Sequence, residues 1–396
     1  MRDYTTFRPF TVATHGGQVT VVGKPGAWSW DALNPGTAAL LEVAEIGPGD
    51  RVLDLGCGTG LIGAAAALQA PQGHVTLVDC NVVAVACAER TLEANGLTNG
   101  QVWLADGVAG LPPASFDLVL SHLPRERAVQ EELIRGAAWV LRPGGRFYFV
   151  ASKRAGVKGA IACARDLFGR CAIVRQKKGH HVALAIRPAG LELPPPTDAT
   201  VARTVTLDGV ETTLVSQPGV FAWERLDAGT AALVGAMEIG PGDRVLDLGC
   251  GSGLAGLAAA RRASEGQVVL VDADVRAVES TRRTLEANGI AGGEVLPSDC
   301  GSAVSGQRFD VVVTNPPFHQ GVGVDYEVAC QFVRDAARVL RRGGRLFLVA
   351  NRFLRYGDLL RDTFGNVATA YADNRYHVLV AVAQKPGSGY NIGGGG

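Results

Sequence analysis

The chain has 396 residues, with 38 Lys and Arg against 38 Asp and Glu, and 47% of its residues are hydrophobic. That length exceeds one ordinary core and suits two domains. Zero net charge excludes global attraction to a polyanion, so any nucleic acid must be met by local basic patches.

Taken in chain order, the start Met1-Arg2-Asp3-Tyr4-Thr5 lacks the apolar core of a signal peptide. No uncharged apolar run reaches the roughly 18 residues needed to span a membrane. A strand-like run over 181–186 is followed by Pro194-Pro195-Pro196, which cannot continue a sheet ladder. The expected division is a first domain over 1–190, a linker over 191–200, a second domain over 201–390 and a glycine tail over 391–396. A hairpin is predicted ahead of each domain core. In the second half it pairs 205–207 with 212–215 around Asp208-Gly209. Strands follow at 244–248, 267–272, 294–297, 309–314, 345–350 and 376–383. Helices are predicted at 254–262, 275–288, 326–340 and 354–364, with Gly289 stopping the second of them. Strands separated by helices imply an α/β fold: two tandem, doubly wound, mainly parallel sheets with a final antiparallel strand.

The tandem reading rests on a repeat. Val52-Leu53-Asp54-Leu55-Gly56-Cys57-Gly58-Thr59-Gly60 returns as Val245-Leu246-Asp247-Leu248-Gly249-Cys250-Gly251-Ser252-Gly253, a shift of 245 − 52 = 193. The same shift lays Gly36-Thr37-Ala38-Ala39-Leu40 on residues 229–233, Asp79 on Asp272 and Asp106 on Asp299. A gapless register of this length means duplication. The eight cysteines form no CxxC pair, which suits reduced thiols and, with the start of the chain, a cytoplasmic protein. Cys57 and Cys250 sit inside the glycine loops, where a small apolar residue packs well.

Gly249, Gly251 and Gly253 follow a strand and open a helix, which lets a ligand lie against backbone N–H groups. Asp247 beside that loop would repel a pyrophosphate but suits a ligand carrying ammonium and sulfonium charge. Asp272, ending the next strand, is placed to accept from ribose hydroxyls. Asp299, after the third strand, is placed to accept from an adenine amino group. Asn315-Pro316-Pro317-Phe318 ends the fourth strand. An aromatic amine is a poor nucleophile, and an amide oxygen with a stiffly aimed carbonyl can hold its two N–H bonds while it pyramidalises. Phe318 offers a ring for stacking. No metal site is expected.

With these motifs the second half resembles a class I S-adenosylmethionine-dependent methyltransferase, and its corner is similar to that of enzymes methylating exocyclic or amide nitrogens. The tandem arrangement, with Asn315 to Gln320 reading NPPFHQ, resembles the bacterial ribosomal RNA guanine-N2 methyltransferases, which include small-subunit and large-subunit members. That resemblance implies S-adenosylmethionine as cofactor and ribosomal RNA, free or in a subunit particle, as partner. Two glycine loops favour the small-subunit type. Alternatives are an N-methyltransferase of adenine N6 or of a protein glutamine, and a non-catalytic RNA- or dinucleotide-binding module. No oligomeric state is fixed by the sequence; a monomer would suffice.

In the first half the corner reads Ser121-His122-Leu123-Pro124-Arg125, and the segment behind it is six residues shorter. The first half is therefore expected to be a degenerate copy that recruits RNA, and His319 to Val324 a substrate lid. Lys153, Arg154, Lys158, Arg175, Lys177 and Lys178 are candidate phosphate contacts. Trp28 and Trp30 are candidate stacking rings, with core packing as the other reading.

Overall fold

The computed structural model describes residues 3–317 and 324–384. Contacts divide the chain into Thr5–Ala199 and a second unit made of Met1–Tyr4 with Thr200–Gly396. Two details differ from the expected boundaries. Leu191 and Leu193 of the proline-rich stretch pack against the first unit's core, and Tyr4 belongs to the second unit.

The first unit opens with a hairpin of β1 (Arg8–Thr14) and β2 (Gly17–Gly23), followed by α1 (Pro35–Leu41). Then come β3 (Arg51–Leu55), α2 (Leu61–Gln69), β4 (His74–Asp79), α3 (Val82–Ala94), β5 (Gly100–Leu104) and β6 (Phe116–His122). The unit closes with α4 (Arg127–Val140), β7 (Leu141–Ser152), α5 (Val157–Phe168), β8 (Cys171–Lys177) and β9 (His180–Ile186). Its sheet runs β5-β4-β3-β6-β7-β9-β8.

The second unit repeats this plan. Its hairpin is β10 (Val201–Leu207) and β11 (Val210–Ser216), then α6 (Ala228–Ala236), β12 (Arg244–Leu248), α7 (Leu254–Arg262), β13 (Gln267–Asp272), α8 (Val275–Ala287) and β14 (Glu294–Pro297). There follow β15 (Phe309–Thr314), α9 (Val324–Val339), β16 (Leu340–Asn351), α10 (Tyr356–Phe364), β17 (Ala368–Ala372) and β18 (Tyr376–Val382). The order β14-β13-β12-β15-β16-β18-β17 is parallel as far as β16 and antiparallel at β18 and β17.

Period-two alternation divides the central strands between two cores. Leu246, Leu248 and Val312 join one buried cluster, and Val245, Val311 and Val313 the other. Because helices cover both faces, these strands read as continuous apolar runs rather than as alternation with polar residues. The α8 helix starts where Asp274 accepts from the Arg276 amide and ends at Gly289, whose φ of 74° accommodates the left-handed stop. Its polar face also holds the hairpin. Thr284 Oγ1 and Asn288 Oδ1 accept from the Val215 and Thr213 amides, supplying partners to an otherwise open strand edge. Thr91 and Asn95 do the same for Val22 and Thr20 in the first unit. The turn at Asp208-Gly209 has positive φ at both residues, as a two-residue hairpin demands.

Candidate active site

At the C-terminal ends of β12 and β13 the chain builds a cradle. Gly249, Gly251 and Gly253 have φ of 77°, 55° and 82°, a region that residues with a Cβ adopt only at a cost. A Cβ at Gly249 would strike the Phe332 ring, and one at Gly253 would strike Thr281. Nothing lies within 4 Å of the corresponding point at Gly251, so that face is open to a ligand. The Gly251 amide donates to Asp272 Oδ2 at 2.9 Å, and the Asp274 amide donates to Asp272 Oδ1 at 3.0 Å. The Asp272 carboxylate is thereby held at the rim of the loop, and burial pushes its pKa up to about 6. An open glycine face beside a fixed carboxylate fits the adenosyl and ribose parts of S-adenosylmethionine.

Asp247 lies deeper. Its carboxylate is buried beneath the loop, where the Gly256 amide at the start of α7 donates to it, and burial pushes its pKa up to about 7. Asp299 follows β14, and the Tyr4 hydroxyl donates to its Oδ1 at 2.6 Å. The adjoining Gly301 amide donates to Asp335 Oδ2 at 2.9 Å, which ties this loop to α9. In the first unit Val108 packs on Gly136 instead, so small and large residues are exchanged across that contact.

The corner at the end of β15 is built around one amide. Asn315 Nδ2 donates to Thr230 Oγ1 at 3.1 Å and to Asp227 Oδ2 at 3.4 Å. A carboxylate only accepts, so the nitrogen of the Asn315 amide must face Asp227 and its oxygen must face the other way. Asp227 also caps α6 by accepting from the Thr230 amide. Close approach of α6 requires Gly229, where a Cβ would stand 2.8 Å from Asp227 Oδ2 and 3.2 Å from the Tyr376 ring. Pro316 is buried and Pro317 exposed. Phe318 and residues 319–323 of the expected lid lie outside the described residues. Asp227 and Thr230 were not singled out by sequence reasoning, although their signal, the repeated Gly-Thr-Ala-Ala-Leu, was in plain view.

The first unit keeps the cradle and loses the corner. Gly58 and Asn81 amides donate to Asp79 at 2.9 and 3.0 Å, matching Gly251 and Asp274. At the corner His122 Nδ1 meets Thr37 Oγ1 at 3.1 Å, and the Trp28 ring packs edgewise on the imidazole with 4.4 Å between centroids. Burial and the neighbouring His180 lower the His122 pKa to about 4, so the ring is neutral. Trp28 is 54% exposed, whereas Trp30 is 2% exposed and belongs to the core. By the 193-residue shift Phe221 takes the place of Trp28, and it is 52% exposed. Both aromatics precede a non-glycine residue of positive φ, Ser29 and Ala222, so this turn is strained alike in the two copies. Sequence reasoning noted Trp28 but not Phe221.

The basic groups divide. Arg175 and Lys177 both pair with Glu42 on a solvent-accessible surface. None of the eight cysteines forms a disulfide. Among the described residues no cluster could hold a metal ion, and no helix is long and apolar enough to cross a membrane.

Comparison with known proteins agrees with this geometry. The methyltransferase small domain family matches the chain twice, over residues 18–183 and 211–380. Ribosomal RNA small subunit methyltransferase C of Pseudomonas entomophila (strain L48) is 35% identical over 257 residues, 65% of this chain and 76% of that protein. The protein of the same name from Stutzerimonas stutzeri (strain A1501) is 36% identical over 275 residues, 68% of this chain and 80% of that one. The chain belongs to the ribosomal RNA small subunit methyltransferase C family. Among solved structures, the T. thermophilus 16S rRNA N2 G1207 methyltransferase, in complex with AdoMet and guanosine, superposes with a TM-score of 0.83 at 34% identity. That match covers 96% of this chain and 99% of the other. The family's tandem architecture is therefore shared along nearly the whole length.

Proposed function

We propose that this protein transfers a methyl group from S-adenosylmethionine to the exocyclic N2 of a guanine in 16S ribosomal RNA. The observation that carries this reading is the Asn315 amide, whose nitrogen is engaged by Asp227 and Thr230 so that its oxygen faces outward. Membership of the family supports it, and so does the 0.83 TM-score to an enzyme of that activity. The guanine equivalent to that enzyme's target is the proposed site.

The donor supplies an electrophilic methyl on a sulfonium, a good leaving group, so the chain needs no strong base. Asp272 would orient the ribose, Asp299 would accept from the adenine amine, and the open face at Gly251 would let the donor lie against the loop, whose glycine amides are held by Val271, Asp272 and Cys250. Asn315 Oδ1 and the Pro316 carbonyl accept the two N–H bonds of the guanine amine. That holds the nitrogen lone pair toward the methyl and favours the pyramidal geometry reached in the transition state. Pro316 and Pro317 keep the carbonyl aimed. A glutamine or adenine acceptor would satisfy the same two acceptors, and family membership favours guanine. Mass spectrometry of 16S nucleosides from a strain lacking the protein tests the reading: loss of one N2-methylguanine, restored by the parent gene but not by Asn315→Ala, is expected. An unchanged nucleoside profile would overturn it.

By the 193-residue shift Phe221 stands where Trp28 packs on His122 in the first unit, so we propose it as an aromatic face beside the corner. Phe221→Ala is expected to lower kcat/KM for RNA about tenfold while donor affinity stays unchanged, since one base–aromatic stack is worth about 1–3 kcal/mol. Steady-state turnover of RNA with parallel donor calorimetry checks both halves of that statement.

The first unit is proposed to recruit RNA without transferring methyl, because His122 is pinned to Thr37 and offers no outward amide oxygen. Lys153, Arg154 and Lys158 are its candidate phosphate contacts. Replacing all three by alanine should weaken RNA binding and flatten the plot of log K against log salt, by up to about 0.9 for each phosphate no longer neutralised. An unchanged slope would remove them from the RNA path. Measuring turnover on naked 16S RNA beside the assembled subunit decides which is the substrate.

A further inference from the structure

Tyr4 is separated from Asp299 by 295 positions, yet the two side chains meet inside one compact unit. The ring is only 3% exposed and forms part of the apolar cluster that contains Cys300, Val304 and Phe332. Its hydroxyl donates to Asp299 Oδ1 at 2.6 Å and also lies against Cys300. A buried tyrosine needs a partner for its hydroxyl, but one apolar position filled from so far along the sequence has a simpler solution in leucine. What a tyrosine adds is the hydrogen bond to a carboxylate at the edge of the adenosyl cradle. Cys300, next to Asp299, has a φ of 49°, so the backbone of this turn is strained.

We propose that Tyr4 is a positioning residue for the donor site: it fixes the rotation of the Asp299 carboxylate so that its remaining acceptor capacity meets the exocyclic amine of adenine. The proposal rests on the donor-site reading given above. A carboxylate offers about four acceptor directions, so a hydroxyl on one oxygen leaves room for an amine on the group. An acceptor held at one rotation selects an amine over a carbonyl at that position of the purine. Tyr4 thereby contributes to preference for adenosyl over inosyl ligands. A second half expressed from about residue 196 lacks Tyr4, so weakened donor affinity is expected of it even when its own residues are intact.

The test uses the full chain and a double-mutant cycle of Tyr4→Phe and Asp299→Ala. Calorimetry measures Kd for S-adenosylhomocysteine and for its inosine counterpart, and thermal unfolding without ligand reports the fold. Tyr4→Phe keeps the ring and removes only the hydroxyl. It should weaken the adenosyl ligand about tenfold, leave the inosyl ligand within twofold, and leave kcat at saturating donor unchanged. In the Asp299→Ala background the same substitution should add nothing. Equal weakening of both ligands would mean a merely structural tyrosine and overturn the proposal, as would unchanged adenosyl affinity in Tyr4→Phe when Asp299→Ala is impaired. If Asp299→Ala itself binds like the parent, the donor-site reading of Asp299 falls, and the proposal with it.

Discussion

Asn315→Ala is expected to lower methyl transfer on the order of 10²-fold or more while leaving S-adenosylmethionine affinity within a few-fold. The amide touches Thr230 and Asp227 on the protein side and, in the proposed complex, the acceptor amine on the other. Neither of those two partners belongs to the glycine loop. Removing one positioning acceptor for charge developing on the amine is the kind of loss that costs a few kcal/mol in the transition state and little in donor binding. Asn315→Asp provides a second arm. A carboxylate facing Asp227 brings two negative groups to within about 3.4 Å, and one of them must then be protonated or swing away. Single-turnover rates should therefore fall in Asn315→Asp as well, and Thr230→Val should give a smaller fall, because Asp227 still holds the amide. A Thr230→Val rate below that of Asn315→Ala would show that the threonine, not the amide, does the chemistry. Calorimetry showing donor binding abolished in Asn315→Ala would place the residue in the wrong site.

Much of this architecture is legible in the residues. The strands at 244–248, 267–272 and 309–314 fall where the apolar runs place them, because buried parallel strands leave a continuous signature. The edge strand Ala368–Ala372 was not foreseen. All five of its residues are exposed and its register slips between Thr369 and Tyr371, so neither alternation nor a buried run marks it. The β16 strand begins at Leu340, ahead of Arg341-Arg342-Gly343-Gly344, a segment that reads locally as a helix stop followed by a loop. In the site, the glycine cradle and Asp272 follow from spacing alone. Tertiary placement of Asp247 does not: its spacing is the same whether the carboxylate faces the ligand or the helix beneath, and here the Gly256 amide takes it. The α6 cap is similar, since a Gly-Thr pair acquires meaning only when β15 brings Asn315 against it. The pairing of Lys177 with Glu42 is equally invisible in the sequence, since the two lie 135 positions apart. Tyr4 had no local signal at all, because its partner lies 295 positions away.

Asp272→Ala should weaken S-adenosylmethionine binding on the order of 10²-fold, the largest effect expected on the donor side. Both of its oxygens are anchored by amides of Gly251 and Asp274, so the carboxylate is fixed before any ligand arrives and loses little further entropy on binding. Hydrogen bonds to a charged acceptor contribute about 1.5–3 kcal/mol each, and tenfold in Kd corresponds to about 1.4 kcal/mol. Burial raises the Asp272 pKa to about 6. The folded, unliganded protein therefore binds a proton there near that pH, whereas a complex with ribose hydroxyls favours the anion. Donor affinity should accordingly fall as pH drops through about 6, and the fall should vanish in Asp272→Asn, whose affinity is low at every pH. Asp247→Ala separates the two roles. Its carboxylate serves the Gly256 amide under the loop, so its loss should lower the melting temperature of the unliganded protein along with donor affinity. Asp272→Ala also strips the acceptor from the Gly251 and Asp274 amides, so it too should lower the melting temperature, but its loss of donor affinity should exceed that of Asp247→Ala. If Asp272→Ala bound the donor like the parent across the pH range, the adenosyl cradle would have to be sought elsewhere in the fold.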